Sequence, residues 1–260
     1  MAGRTGPLSL AGLLLALAPI AHGGCTGTAP PPPALRGVRR IVALGDSITE
    51  GGGAPGGYVW LVEQTLRAVY PRQRVRVINA GIGGQRAPDM AARFRADVLD
   101  RRPQLVTISA GVNDVWHAFR DFAARRTYPS GALPAGVPLA EYREHVTAMV
   151  QAAREAGVRV LLVSPTVVYE TLDGPENTRL AGYVDAERAI ARERGVLFAD
   201  AHAAFRAAIA TGQARAGGGA NLLTFDGVHP NPAGSRLLAL VILRALGVPE
   251  EALAPLRRLD

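Results

Sequence analysis

The sequence contains no lysine, and all 29 of its lysine-plus-arginine positions are arginine. The P-loop that binds nucleotide phosphates requires a lysine, so this class of site is excluded. The arginines are spread along the chain, paired at most as in Arg39-Arg40 or Arg125-Arg126, and no basic stripe alternates with aromatic residues. We therefore predict no nucleic-acid partner and attribute the formal net charge of +7 to composition.

Cysteine occurs only once, at Cys25, which excludes an internal disulfide and any zinc site built from cysteine pairs. The sequence predicts neither a metal nor a cofactor. With 260 residues and 48% hydrophobic content, the chain can build one core of ordinary size without either.

The sequence also lacks an apolar run long enough to cross a membrane. The run from Leu8 to Ala21 is too short and follows Arg4, which is typical of a secretory signal. We interpret residues 1–25 as this signal and predict an exported protein that is periplasmic, attached to the cell envelope, or secreted. Two endings stay open: cleavage after Ala21-His22-Gly23, or lipidation of Cys25, which would tether the protein to a membrane.

Residues 26–37 include four consecutive prolines and are predicted to form a semi-rigid linker. In residues 38–260, short β-branched runs alternate with segments of helical period, which predicts one α/β domain with a parallel sheet covered on both faces. Strands are predicted at Arg40–Leu44, Val75–Ile78, Leu105–Ser109, Arg159–Val163 and Val196–Phe198. Helices are predicted at Tyr58–Tyr70, Pro88–Arg101, Leu139–Ala156, Thr178–Arg194 and Pro232–Leu246.

The segment from His117 to Pro138 interrupts this alternation, because it has three prolines and no clear period. It is longer than most connections in compact domains. The sequence leaves two interpretations open: a loop that shapes a substrate cleft, or a surface excursion. Trp116 and His117, close behind Asn113, are further candidates to line the cleft.

Small polar turns follow the first three predicted strands. They are Gly45-Asp46-Ser47, the segment from Asn79 to Gly84, and the segment from Ala110 to Asp114. Parallel α/β sheets bind ligands beyond the carboxyl ends of their strands, so these turns are expected to lie together. Asp226 and His229, three residues apart before the last predicted helix, can supply a carboxylate and a base from one loop.

A serine hydroxyl becomes an effective nucleophile when a base accepts its proton and a carboxylate orients that base. Ser47, His229 and Asp226 are the candidates for these three roles. Acyl transfer also needs donors directed at the developing oxyanion. The N–H groups of Ser47 and Gly84 and the carboxamide of Asn113 are the candidate donors.

Four sequence blocks resemble those of the SGNH, or GDSL, hydrolases. They are Gly45-Asp46-Ser47-Ile48-Thr49, the turn at Gly84, Gly111-Val112-Asn113-Asp114 and Asp226-Gly227-Val228-His229-Pro230. The resemblance spans Val38 to about Leu246 and implies a flavodoxin-like three-layer α/β/α sandwich and metal-independent ester hydrolysis. It also implies a nucleophile at Ser47, a base at His229, an orienting acid at Asp226, and an oxyanion hole that includes Gly84 and Asn113. The Gly84 assignment is the most open, because Gly81 and Gly83 lie in the same turn.

We expect an exported serine esterase that acts on short-acyl, chiefly acetyl, esters of carbohydrates or other polar alcohols. No amphipathic apolar lid is apparent, and export disfavours an intracellular acyl-CoA substrate. A lysophospholipase- or thioesterase-type lipid hydrolase, an acyltransferase on the same site and a non-catalytic binding module are the alternatives, and fold alone does not choose among them. The oligomeric state stays open.

Two other motifs are interpreted as structural. Gly51-Gly52-Gly53-Ala54-Pro55-Gly56 matches a dinucleotide-binding pattern, but it begins several residues beyond the strand. Asn79 moreover stands where such a site needs an acid. Asp46 is interpreted as a turn-forming residue, because Asp226 is the better-placed partner for His229.

Overall fold

The computed structural model describes residues 30–216 and 221–257, so the predicted signal at residues 1–25 lies outside the described part. Its centre is a five-stranded parallel sheet with the order β2-β1-β3-β6-β7. The strands of this sheet are β1 (Arg40–Gly45), β2 (Arg76–Gly81), β3 (Leu105–Ser109), β6 (Arg159–Val163) and β7 (Leu197–Ala199). Counting only the strands of this sheet in chain order, this is the order 2-1-3-4-5, which is the flavodoxin-like order. The predicted fold class is therefore confirmed.

Helices cover both faces of the sheet. The five predicted helices are present as α2 (Tyr58–Val69), α3 (Ala87–Asp97), α5 (Leu139–Glu155), α6 (Pro175–Arg194) and α8 (Pro232–Ala245). Four more are α1 (Ser47–Gly51), α4 (Val112–Phe119), α7 (Ala201–Ala216) and α9 (Ala254–Arg257). Helices α2 and α7 pack against α8, while α3 and α6 pack against α5, which gives a three-layer sandwich.

The burial of side chains follows from this layering. In β1, which lies between β2 and β3, every residue after Arg40 is buried. On α5 the buried residues are those of the apolar stripe at helical spacing: Tyr142, Val146, Met149, Val150 and Ala153. Within the described residues, no helix combines the length and apolarity that a membrane span requires.

The packed part of the chain begins before Val38. A 3-10 helix of one turn spans Pro33–Leu35, and Leu35 is fully buried. The Arg159 guanidinium donates to the carbonyls of Ala34 and Arg36, at 3.1 and 2.8 Å. The end of the predicted linker therefore lies against the domain.

The interruption after α4 is more ordered than predicted. Helix α4 continues to Phe119, and the chain then forms a two-stranded antiparallel hairpin of β4 (Arg120–Asp121) and β5 (Arg126–Thr127). The N–H of Tyr128 donates to the carbonyl of Phe119 at 2.7 Å, which ties the hairpin back to the helix. The segment that the sequence left open as a loop or a surface excursion therefore begins with the last turn of α4 and this hairpin.

Candidate active site

Strand β1 delivers Ser47 to the edge of the sheet, where it is the first residue of α1. Asp46 caps this helix, because its Oδ1 accepts the N–H of Ile48 at 2.9 Å. Burial raises the pKa of Asp46 to about 6. Gly45 is required by close approach, since a Cβ there would lie 1.9 Å from the Thr49 hydroxyl oxygen. Asp46 therefore acts as a helix cap, in line with its predicted turn-forming role.

The structure brings Ser47, His229 and Asp226 into one hydrogen-bonded chain. Nε2 of His229 lies 2.9 Å from Oγ of Ser47, although 182 positions separate the two residues. Nδ1 of His229 lies 2.7 Å from Oδ2 of Asp226. A carboxylate at this position favours the Nδ1–H tautomer, which leaves Nε2 free to accept the serine proton.

The short loop that carries Asp226 and His229 also stabilises the ionised carboxylate. Oδ1 of Asp226 accepts the backbone N–H groups of Val228 and His229, at 3.0 and 2.8 Å. Partial burial acts to raise the pKa of Asp226, but the hydrogen bonds from His229 and Val228 outweigh it and hold the pKa below its usual range. Asp226 therefore stays charged near neutral pH.

The turn between β2 and α3 offers one free donor. The N–H groups of Gly81 and Gly83 donate to the side chains of Asn79 and Glu50, at 2.8 and 3.1 Å. The N–H of Gly84 has no acceptor among the described residues. Its φ of +76° is a conformation that glycine adopts readily. Of the three glycines that the sequence left open, Gly84 is thus the one whose N–H remains available.

Asn113 occupies the second position of α4 and is only 3% exposed. One N–H of its carboxamide donates to the carbonyl of Gln85 at 3.0 Å, and the other remains for a ligand. The adjacent Asp114 carboxylate accepts the N–H groups of Ala87 and Gly111, at 2.9 and 3.0 Å. Burial raises the pKa of Asp114 to about 7. These bonds fix α4 against the start of α3.

Arg93 on α3 connects the two turns that carry Ser47 and Gly84. Its guanidinium donates to the carbonyls of Gly45 and Ala80, at the ends of β1 and β2, at 3.0 and 2.8 Å. The same group contacts Oε1 of Gln85 at 2.5 Å. No pattern in the sequence indicated this role, since Arg93 is one arginine among many and donates to backbone carbonyls.

Glu170 holds the segment that leads into the Asp226 loop. Its buried carboxylate accepts the N–H groups of Leu222, Leu223 and Thr224, at 2.7, 2.9 and 2.9 Å. The Thr224 hydroxyl also donates to Glu170, at 2.7 Å, and accepts the N–H of Gly227, at 3.1 Å. No spacing in the sequence could have revealed this contact, because Glu170 and Thr224 lie 54 positions apart.

Of the two further candidates, Trp116 lies directly beside His229. Its ring centroid is 6.3 Å from that of His229, and its Nε1–H donates to the Tyr169 hydroxyl at 2.9 Å. His117 contacts Phe122 instead, with their ring centroids 5.1 Å apart. Burial lowers the pKa of His117.

The remaining histidines of the described part have structural contacts. Nδ1 of His202 lies 2.5 Å from the carbonyl oxygen of Thr166, and His145 lies 3.8 Å from Glu141. In residues 30–216 and 221–257, no three histidine, cysteine, aspartate or glutamate side chains gather as potential metal ligands.

A cavity of about 650 Å³ lies beside the hairpin and is lined by Arg86 and Arg179, but it does not include the serine, histidine or aspartate. Both arginines donate to carbonyls of the segment that follows the hairpin, at Ala135 and Gly131. The two arginines therefore anchor that segment beside the cavity.

Comparison with known proteins shows the family of this chain. The model of the GDSL-like lipase/acylhydrolase family matches residues 43–237. An acetylxylan esterase from Geobacillus stearothermophilus is 32% identical over 219 residues, which cover 80% of this chain and 94% of that enzyme. A crystal structure of a catalytic mutant of that enzyme has a TM-score of 0.69 at 30% identity, and it covers 81% of this chain and 95% of its own.

Three catalytic mutants of that acetylxylan esterase have been solved, in which a serine, a histidine or an aspartate is replaced by alanine. A second structural relative is an alpha/beta hydrolase from the metagenome of Lake Arreo, with a TM-score of 0.64 at 27% identity over 80% of this chain and 95% of its own. The uncharacterized lipoprotein YqeF of Bacillus subtilis is 28% identical over 155 residues, 56% of this chain and 53% of its own length.

Proposed function

This chain belongs to the GDSL-like lipase/acylhydrolase family and is a carboxylic ester hydrolase, and we propose that it removes acetyl groups from carbohydrates or other polar alcohols. One observation carries the proposal: the hydrogen-bonded chain from Ser47 through His229 to Asp226. Such a chain activates a hydroxyl for attack on an ester carbonyl.

In the proposed reaction, Oγ of Ser47 attacks the acyl carbon while its proton moves to Nε2 of His229. The protonated imidazole then donates this proton to the leaving alcohol as the ester C–O bond breaks. Water, deprotonated by His229, then attacks the acyl-serine; the bond between the acyl carbon and Oγ breaks as His229 returns the proton to Oγ, and the carboxylic acid leaves. Asp226 keeps the imidazole in the required tautomer through both halves of the reaction.

The negative oxygen of each tetrahedral intermediate needs donors that are already in place. We assign this role to the N–H groups of Ser47 and Gly84 and to the carboxamide of Asn113. Each is a donor at the same sheet edge, and the bonds to Gln85 and from Arg93 hold the surrounding turns rigid. Rigid donors lower the barrier because they need no reorganisation as charge develops.

The acetyl and carbohydrate specificity is inferred from the relative that bears it. The acetylxylan esterase matches nearly its whole length to this chain. Its catalytic mutants concern the same three residue types that meet here as Ser47, His229 and Asp226. An acyl hydrolase of lysophospholipids or thioesters is the alternative that a substrate panel must exclude.

We further propose export, with residues 1–25 as the signal, 26–37 as the linker and 38–260 as the catalytic domain. The apolar run after Arg4 supports this, and the lipoprotein YqeF offers a relative of that class. Metabolic labelling with a radioactive fatty acid decides between the two endings. Incorporation that Cys25→Ala abolishes indicates a lipid anchor, whereas an unlabelled secreted protein indicates simple cleavage.

A panel of substrates tests the function. Purified protein is assayed on acetylated xylan, on p-nitrophenyl esters of increasing acyl length and on a lysophospholipid, with Ser47→Ala as the control. We expect release of acetate from xylan and a sharp fall in rate beyond short acyl chains. Preference for lysophospholipid or for long acyl chains would contradict the proposal.

A further inference from the structure

The hairpin after α4 places an exposed aromatic ring beside the candidate site. Phe122 follows β4 directly and is 48% exposed. Its ring packs edge to face on Trp116, with ring centroids 4.8 Å apart. Since Trp116 in turn packs against His229, aromatic rings extend without interruption from the catalytic imidazole to the tip of the hairpin.

The Trp116 ring is fixed in place before any ligand binds. It stands on α4 three positions after Asn113, so the helix that carries the oxyanion donor also carries this ring. Its single polar group, Nε1–H, already donates to the Tyr169 hydroxyl. What Trp116 and Phe122 offer a ligand is therefore apolar surface, and we call these two residues the aromatic wall.

The distribution of exposed apolar side chains sets this region apart. Five large hydrophobic residues are exposed in the described part of the chain: Trp60, Ile82, Phe122, Leu139 and Phe225. Three of them lie on segments that border the candidate site: Ile82 in the turn of Gly84, Phe225 directly before Asp226, and Phe122. Of these, Phe122 is the one whose ring is linked to His229 through packed aromatic rings, and exposed apolar surface beside a site is a mark of ligand binding.

We propose that the aromatic wall binds a sugar ring of the acetylated carbohydrate, next to the residue whose ester is cleaved. The inference rests on the proposed function. A pyranose ring has apolar C–H faces and a polar edge, so it packs on an exposed aromatic ring while its hydroxyls stay in water. The hairpin also carries polar side chains that could contact sugar hydroxyls: the exposed Arg126 and the half-buried Arg120 and Asp121.

The proposal gives the hairpin a specific role in selectivity. A small ester such as p-nitrophenyl acetate has no sugar ring to place on Phe122, whereas the proposal gives an oligosaccharide a contact there. The gain appears in substrate binding, so loss of the ring raises KM for the oligosaccharide more than it lowers kcat.

The test compares kcat/KM for an acetylated xylo-oligosaccharide and for p-nitrophenyl acetate in four proteins: wild type, Phe122→Ala, Phe122→Tyr and Trp60→Ala. Trp60 is the matched control, an exposed aromatic residue on α2. We expect the ratio of the two values to fall about tenfold in Phe122→Ala, mainly through KM. We expect Phe122→Tyr to restore the ratio and Trp60→Ala to leave it unchanged.

The outcomes separate this inference from the function on which it rests. Wild-type activity on the oligosaccharide with an unchanged ratio in Phe122→Ala would overturn the sugar site alone. Absence of wild-type activity on every acetylated carbohydrate would overturn both. A selective loss on long-chain p-nitrophenyl esters in Phe122→Ala would identify the wall as an acyl-binding surface and contradict the inference.

Discussion

The carboxylate of Glu170 accepts both the backbone N–H and the hydroxyl of Thr224, at 2.9 and 2.7 Å. Because Thr224 in turn accepts the N–H of Gly227, Glu170 is connected to the loop of Asp226 and His229 through two hydrogen bonds. Both oxygens of this buried carboxylate accept backbone N–H groups, and Gln, which has the same shape, can accept on only one side. The contacts of Glu170 therefore bear on catalysis as well as on stability.

Glu170→Gln should lower kcat by about tenfold or more and leave KM nearly unchanged, because its amide turns one acceptor into a donor that faces the N–H of Leu222. Buried groups that lose their partners cost about 1–3 kcal/mol, and we expect a loss of that order in the free energy of unfolding. Steady-state kinetics and urea unfolding measure the two effects. Glu193→Gln, on the exposed surface of α6, is the control. A loss of stability with unchanged kcat would show that Glu170 does not position the catalytic loop.

Asn113→Ala should lower kcat by about 10²–10³ with little change in KM, as expected for loss of one oxyanion donor. The reason is that the charge appears only in the transition state. Kinetics on p-nitrophenyl acetate are sufficient to measure it. An increase in KM with an unchanged kcat would assign Asn113 to ground-state binding instead.

Asp226→Asn should lower kcat/KM by about 10²–10⁴, because the amide favours the wrong tautomer of His229.

In the wild type the pKa of Asp226 lies below its usual range, so Asp226 is ionised throughout the interval from about pH 5 to 8 in which histidine changes charge. With a histidine as the base, the rate should then rise with pH over this interval.

Asp46 and Asp114 have pKa values raised by burial to about 6 and about 7, within that same interval. Asn at each position removes these two ionisations. We expect the rise of rate with pH to persist in Asp46→Asn and in Asp114→Asn. A rise that vanished in either variant would contradict the assignment of His229 as the base.

Asp46→Asn should retain hydrolytic activity, since the Asn oxygen can still accept the N–H of Ile48. It should also change how stability depends on pH. Burial raises the pKa of Asp46 from 3.8 to about 6, so the folded state binds the proton more tightly than the unfolded chain does. The wild type therefore loses stability as the pH rises from about 4 to about 6, and the variant lacks this loss.

The difference in unfolding free energy between Asp46→Asn and the wild type should thus increase across that range and stay constant above it. Urea unfolding at several pH values measures this difference. A difference that does not vary with pH would show that the carboxyl is not perturbed. A loss of activity as large as that of Ser47→Ala would assign Asp46 a chemical role.

The sequence predicted the sheet well because its signals are local. The runs at Leu105–Ser109 and Arg159–Val163 are strands with the predicted bounds. The position of Ser47 at the edge of the sheet could be inferred for the same reason, since turns after parallel strands converge at one edge.

Contacts between distant segments could not be inferred in this way. Arg93 donates to backbone carbonyls, which no sequence pattern encodes, and Glu170 binds N–H groups 52 to 54 positions away. Helix α7 was not predicted, because its many alanines leave little difference in hydrophobicity between its buried and exposed faces. The choice of Gly84 over Gly81 and Gly83 likewise required knowing which N–H groups already had partners.

The central claim is that Ser47 is a nucleophile activated by His229, and covalent labelling tests it most directly. The protein is incubated with a fluorophosphonate, and the modified peptide is identified by mass spectrometry in the wild type, Ser47→Ala and His229→Ala. We expect one adduct, on Ser47. It should be absent in Ser47→Ala and should form at least about 10³ times more slowly in His229→Ala. A catalytically active wild type that carries its adduct on another residue, or the same labelling rate in His229→Ala, would contradict the central claim.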